Sequence, residues 1–357
     1  MYVRPEIAAM AGYTPGEQPQ GVSKFIKLNT NENPYPPPAG IRRAIEEVLD
    51  RGLQKYPDPM ASAFRTRAAE LLGLPGKDWI LAGNGSDDVL TICTRAFVGQ
   101  GELLRLPYPS YILYRTLAQL QGARWEEVRF NADWSLPAAF GDSADGLKLV
   151  FLPNPNSPTG TMISREAVLK FAERLLCPLL VDEAYVDFAD WNCVDLVRQN
   201  EKILVSRSLS KSYGLAGLRF GYLIGQPQII EQLVKVKDSY NCDALSIAAA
   251  TAAINDTAWL AENRRRIIAT RSRLTTGLQQ LGFEVIPSQA NFVWCTHARH
   301  AAKALYEQLK AAHVLVRFMS YPGWSDGLRI SVGSDEQIDA LLATLASIQN
   351  PKSKIQN

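Results

Sequence analysis

The sequence predicts an α/β protein. A large unit over residues 31–245 carries a mostly parallel seven-stranded sheet between helices. A smaller α+β unit follows over 246–357, with residues 1–30 packed against it. Three observations lead to this reading. A chain of 357 residues is too long for one simple core. From residue 78 to 225, short apolar runs alternate with stretches of helical period, the pattern of a buried parallel sheet with helices on both faces. After about residue 240 the texture changes to a long helical stretch followed by a few short strands.

The elements follow in order. Residues 28–40, LNTNENPYPPPAG, contain prolines and asparagines that exclude a regular helix. Helical periodicity follows at IRRAIEEVLDRG and at SAFRTRAAELLG, the second closed by Gly73. The runs DWILAG, GELLRL, ARWEEVRF, KLVFLPNP, CPLLVDEAY, EKILVSRS and GLRFGYLIG read as strands. DDVLTICTRAFV, SYILYRTLAQLQ, SREAVLKFAERL and PQIIEQLVKVKD read as helices among them. The second unit opens with the helix AWLAENRRRIIATRSRLTTGLQQLG. Strands FEVIP, NFVWC, VLVRF and LRISVG and two further helices complete it, and the polar tail NPKSKIQN reads as a frayed end.

Composition narrows the function. A formal net charge of +2 gives no electrostatic case for nucleic acid. No window reaches the apolar length of a membrane helix, and the N-terminus lacks a signal-peptide core, so the expected compartment is the cytoplasm. The five scattered cysteines, with no C-x-x-C pair, read as buried thiols of a reducing compartment. All three histidines lie between His297 and His313 without carboxylate or thiol partners at ligand spacing. A metal centre and a Ser-His-Asp triad are therefore not expected.

The chemistry is sought where loops leave the carboxyl ends of the strands. There ILAGNGSDDVL offers a glycine-rich turn opening a helix at Ser86–Asp87, a phosphate-type terminus. LRLPYPSYILY offers Tyr111 as an aromatic plate, and LVFLPNPNSPTG a rigid turn rich in amides. LLVDEAYVDF places Asp182 at the end of an apolar strand with Tyr185 three residues on; a carboxylate there needs a cation or takes up a proton. ILVSRSLSKS delivers Lys211 beside Ser208 and Ser210, and Arg219 follows. Together these suit a phosphorylated aromatic aldehyde, pyridoxal 5′-phosphate. Its phosphate would sit on the helix terminus, the serines and Arg219; its ring nitrogen on Asp182; its ring oxygen on Tyr185; its aldehyde on Lys211. The segment Ser208-Leu-Ser-Lys211 also satisfies S-x-x-K, the mark of a Ser-Lys acyl-transferring hydrolase, but the companion motifs S-D-N and K-T-G are absent.

LNTNENPYPPP, KYPDP, GNGSDD, PSYILY, NPNSPTG, VDEAYVDF, SLSKSYGLAGLRFGY and LRISVG occur in the order found in fold-type I pyridoxal-phosphate-dependent aminotransferases. Over nearly its whole length the chain resembles that family, and within it the histidinol-phosphate aminotransferase branch. The resemblance implies a fold-type I architecture, and Lys211 as the cofactor-bearing lysine and proton shuttle. It implies Asp182 as partner of the ring nitrogen, Tyr185 as donor to the ring oxygen and Tyr111 as the stacking ring. Tyr56 of KYPDP would reach the phosphate of a neighbouring subunit, giving a homodimer with shared active sites. Arg329 would grip the anionic end of the substrate with help from Arg317, and Tyr13 and Asn33 would line the substrate pocket. The family commonly carries asparagine directly before Pro-Thr-Gly, donating to the ring oxygen. Ser157 stands there in this chain, and Asn156, one position earlier, is the expected substitute.

The implied reaction on small-molecule substrates is amino transfer between L-glutamate and imidazole-acetol phosphate, giving 2-oxoglutarate and histidinol phosphate. Aromatic or broad-specificity aminotransferases and a threonine-phosphate decarboxylase share the same machinery and remain open from sequence.

Overall fold

The structure, a computed structural model, describes residues 2–12, 16–18 and 25–349. Tyr13 and the tail from 350 onward lie outside them. Helix α1 (Pro5–Ala9) and strand β1 (Ile26–Lys27) precede helices α2 (Gly40–Arg51) and α3 (Ser62–Leu71). The large sheet is built from β2 (Ile80–Gly83), β3 (Leu103–Tyr108), β4 (Arg124–Arg129), β5 (Leu147–Pro153), β6 (Leu179–Asp182), β7 (Ile203–Ser208) and β8 (Gly221–Ile224). Among them run α4 (Ser86–Phe97), α5 (Leu113–Gln121), α6 (Arg165–Arg174), α7 (Leu196–Gln199) and α8 (Leu209–Ser212), with α9 (Pro227–Val234) after the last strand.

The seven strands lie in the order β2-β8-β7-β6-β5-β3-β4, parallel except that β8 runs against both neighbours. Alternation along the central strands explains the two-faced core. Val150, Leu152, Leu179 and Val181 face one layer, with Phe64, Val168 and Phe171 of α3 and α6. Leu149, Phe151 and Leu180 face the other, with Val89, Leu90, Leu117 and Ile230 of α4, α5 and α9. Burial on both faces is why these strands read as unbroken apolar runs.

The reversal of β8 decides where the site lies. Strands β3, β5, β6 and β7 end at one edge of the sheet. The antiparallel β8 begins at that edge, and β2, antiparallel to β8, ends there too. Gly221 pairs with both Ser208 and Gly83. A Cβ on Gly221 would lie 2.5 Å from the Ser86 amide nitrogen and 2.9 Å from the Arg207 carbonyl oxygen, so only glycine lets α4 approach this closely.

Beyond the sheet come α10 (Ala244–Asn255), α11 (Thr257–Gln280), β9 (Phe283–Ile286), β10 (Phe292–His297) and α12 (Ala302–Ala311). β11 (Val314–Leu315), β12 (Arg317–Met319), β13 (Gly327–Ser331) and α13 (Asp335–Gln349) follow. A second, antiparallel sheet has the order β12-β13-β10-β9 and is covered by Leu274, Leu278, Leu305, Leu309, Ile338 and Leu341 of α11, α12 and α13. Strand β1 pairs in parallel with β11, and the Ser331 amide donates to the Leu28 carbonyl, so the N-terminal segment is stitched to this second sheet. Helix α10 was not visible as a pattern in the sequence. It buries Ala249, Ala250, Ala253 and Ile254 in the core of the large sheet, packing on α2 and α3.

Candidate active site

The shared edge opens into a cleft with an empty volume of about 1100 Å³, its mouth included. Lys211 enters it from α8, a single turn that the chain makes directly after β7. Ser208 caps that turn, its hydroxyl oxygen accepting from the Ser210 amide at 3.2 Å. The Lys211 amine donates to the Thr30 carbonyl at 3.3 Å and lies 5.7 Å from the Tyr185 ring centre; it makes no salt bridge among the described residues. Burial, reinforced by the charge of Arg329, lowers its pKa to about 8 against the pull of Glu32 and Asp87.

Two neighbouring carboxylates point to opposite fates. Glu183 is buried and receives two bonds from Arg207, at 3.0 and 2.8 Å, a closed ion pair. Asp182, only 6% exposed, receives bonds from neutral groups alone: the Tyr114 hydroxyl at 2.7 Å, the Ser206 hydroxyl at 3.0 Å and the Ala184 amide at 3.2 Å. Burial pushes the Asp182 carboxyl up despite those donors. It faces the cleft with no ion-pair partner among the described residues, and a protonated ring nitrogen would supply one.

Tyr185 follows β6, and its hydroxyl oxygen accepts from the Asn31 amide at 3.1 Å. Burial raises this phenol, with Arg329 opposing the shift. At the other end of the cleft α4 begins at Ser86. Gly85 precedes it at φ 85° and supplies no side-chain cap, and Ser86 and Asp87 of the first turn line the cleft. Arg219 flanks them in the left-handed region at φ 56°, its guanidinium 3.4 Å from the Ser210 hydroxyl and 3.3 Å from the Asp87 carboxylate. Tyr111 lies in the wall, edge-on to Tyr114 with ring centres 5.6 Å apart.

Strand pairing sets Arg317 directly opposite Arg329, and both line the cleft. Arg329 donates to the Ser157 hydroxyl and to the Asn29 carbonyl, each at 3.0 Å.

Two expected residues, Asn156 and Asn33, are placed elsewhere. Asn156 does not line the cleft: its amide nitrogen donates to the Pro109 carbonyl at 3.2 Å and the Thr159 hydroxyl at 3.0 Å, while Ser157 lines the cleft in its place. The cause is alternation in a tight turn, which points successive side chains to opposite sides. Asn33 does not line the cleft either; its amide donates to the Lys211 and Ser212 carbonyls at 2.9 and 3.2 Å, bracing the turn that carries the lysine. Tyr56 is 80% exposed and stacks on Tyr240 at 4.4 Å, outside the cleft of its own chain. Tyr13 lies outside the described residues. The sequence reading missed Asn31, Tyr114 and Ser206. Tyr114 could have been found at helical spacing from Tyr111, and Ser206 at strand spacing from Ser208.

Comparison with known proteins agrees with this geometry. A family model described as aminotransferase class I and II matches residues 23–345. The chain belongs to the class I and II aminotransferases, a pyridoxal-phosphate-dependent family. Within that class it is similar to histidinol-phosphate aminotransferases. That of Rhodopirellula baltica is 58% identical over 96% of this chain and 94% of its own length. One from Trichormus variabilis is 42% identical over 97% of this chain and 99% of its own. The histidinol-phosphate aminotransferase of Sinorhizobium meliloti, solved in complex with pyridoxal-5′-phosphate, superimposes with a TM-score of 0.87 at 25% identity, covering 97% of this chain and 98% of that one. An aspartate aminotransferase from Thermotoga maritima, at 19% identity and a TM-score of 0.81 over 92% of each chain, shares the fold.

Proposed function

We propose that this chain catalyses reversible amino transfer between histidinol phosphate and 2-oxoglutarate, giving imidazole-acetol phosphate and L-glutamate in histidine biosynthesis. The observation behind the substrate choice is the pairing of Arg317 with Arg329 at one wall of the cleft. Two guanidinium groups on adjacent strands suit a doubly charged phosphate, and one of them suffices for a carboxylate of glutamate.

Pyridoxal phosphate fits the donor set: Lys211 for its aldehyde, Asp182 for its ring nitrogen, Tyr185 for its ring oxygen and Tyr111 for its face. Its phosphate would rest on the Ser86 and Asp87 amides, Ser208, Ser210 and Arg219. When bound, it draws electrons from the substrate carbon that bears the transferred nitrogen. The remaining work falls to side chains. Asp182 keeps a proton on the ring nitrogen, because a buried carboxylate without a cation strongly favours one. Lys211, with its pKa lowered to about 8, has a neutral fraction near neutral pH and can take a proton from carbon and return it.

We further infer a homodimer with shared sites. Tyr56 is exposed, with Tyr240 stacked against it, and it flanks a groove between α2 and α10. A second copy seated there would bury this apolar surface and carry Tyr56 to the phosphate end of its partner's cleft. A reducing compartment, the cytoplasm, suits the five cysteines, all free and buried. No helix among the described residues is long and apolar enough to cross a membrane.

The test is turnover of histidinol phosphate against phenylalanine, each with 2-oxoglutarate. The proposal expects kcat/KM at least tenfold higher for histidinol phosphate, about 1.4 kcal/mol in transition-state binding. A preference for phenylalanine would instead define an aromatic aminotransferase.

A further inference from the structure

The structure assigns to Asn31 the role of the amide that positions Tyr185 and supplies a neutral donor to its phenol oxygen. This inference rests on the reading of the cleft as a pyridoxal-phosphate site.

Neither residue of the Asn156-Ser157 turn bonds Tyr185. Ser157 lines the cleft and accepts from Arg329 at 3.0 Å, and the Asn156 amide nitrogen is spent on Pro109 and Thr159. Asn31 is buried and lines the cleft, 3.1 Å from the phenol oxygen of Tyr185. Its amide orientation follows from the hydrogen-bond network. The Ser331 hydroxyl accepts from the Asn31 backbone N–H at 2.8 Å, so its proton is directed at the Asn31 side-chain oxygen, 3.1 Å away. That leaves the side-chain NH2 facing Tyr185. Asn291 holds the Asn31 carbonyl at 3.0 Å, and the backbone sits at φ 55°, a conformation asparagine tolerates better than most residues. Because the phenol oxygen already accepts the Asn31 N–H, its own proton is left for an acceptor in the cleft, where the cofactor's ring oxygen would lie.

Four charged groups face Tyr185: Arg329 from β13, Asp182 from β6, Asp87 from α4 and Lys211 from α8. A neutral donor among them favours negative charge on the phenol oxygen and on the ring oxygen it serves. Removing that donor makes the bound cofactor harder to deprotonate. The midpoint of its pH-dependent change in visible absorption should therefore move to higher pH.

Asn31→Gly removes the amide while leaving the left-handed backbone at ease, and Asn31→Asp keeps the shape but replaces the donor with an acceptor. Titrating the absorption of the cofactor-loaded variants should show a rise of about half to one pH unit for Asn31→Gly and a larger one for Asn31→Asp. Because the amide acts through the phenol, adding Asn31→Gly to Tyr185→Phe should move the midpoint little beyond Tyr185→Phe alone. An unmoved midpoint in both single Asn31 variants overturns the assignment, as does a full additional shift in the Tyr185→Phe background. A wild-type protein that takes up no cofactor would instead overturn the reading of the cleft.

Discussion

Tyr114 donates a 2.7 Å hydrogen bond to Asp182 from a position with no solvent exposure of its own. The bond fixes a carboxylate that has no ion-pair partner among the described residues. Asp182→Asn should leave the cofactor-free protein as stable as wild type or more so, because a costly buried charge is removed. Turnover should fall by about a hundredfold or more, as for loss of a preorganised electrostatic group. Thermal melting of the cofactor-free protein and steady-state kinetics of the loaded enzyme check the two halves separately. Tyr114→Phe should cost only about 1 kcal/mol, the worth of one hydrogen bond, in transition-state binding.

Lys211 must be neutral to react, and its pKa is lowered to about 8. Cofactor uptake by the empty protein should rise about tenfold per pH unit below that value and level off above it. Linkage has the matching sign. The folded protein holds this proton less tightly than the unfolded chain, so the empty protein gains stability as pH rises from about 8 toward the ordinary lysine value. Stopped-flow uptake and urea unfolding, each compared with Lys211→Met, measure both effects; the variant should lose the stability gain.

Arg329 holds Ser157 and Asn29 while facing the cleft. Arg329→Ala should weaken glutamate and histidinol phosphate alike, by about 2 kcal/mol or more, as expected for losing a desolvated charged hydrogen bond. Arg317→Ala should penalise the phosphorylated substrate more than glutamate. Half-reaction kinetics on both variants read the difference, and equal losses in Arg317→Ala would remove the residue-level reason for preferring histidinol phosphate.

Tyr56→Ala and Lys211→Ala, each defective alone, should complement when mixed and allowed to exchange subunits. Each mixed dimer holds one site with both residues intact, so recovery should approach about a quarter of wild-type activity in a twofold-symmetric assembly. No recovery after demonstrated exchange would rule out shared sites.

The large sheet was legible because its strands are buried on both faces and punctuated by turns; each strand run reappears in the sheet. The main site residues were legible because Asp182, Lys211 and the start of α4 all lie at strand ends, where chain order alone indicates the edge. What escaped was long-range. Asn31 meets Tyr185 across 154 positions, a contact that no local period encodes. The choice between Asn156 and Ser157 turns on which way one side chain points in a turn. Helix α10 was missed because ALSIAAATAAIN is small and apolar all round, with no polar stripe to mark its phase.

The reversed strand β8 explains why so much chemistry sits in one short stretch of text. A parallel successor to β7 would need a crossover that carries the chain away to the far edge of the sheet. The antiparallel return instead pairs Ser208 with Gly221 and closes the intervening residues into a ring clasped at its base by one backbone pair. Ser208, Ser210, Lys211 and Arg219 all belong to that ring. Their mutual spacing thus depends first on loop length, and Asn263 of α11 and Ser246 of α10 hold the ring by donating to the Ser212 and Leu218 carbonyls. Inserting or deleting a residue between 209 and 220 would shift the lysine relative to the arginine, whereas the same change in the exposed turn Gly99–Gly101 would leave the ring in phase.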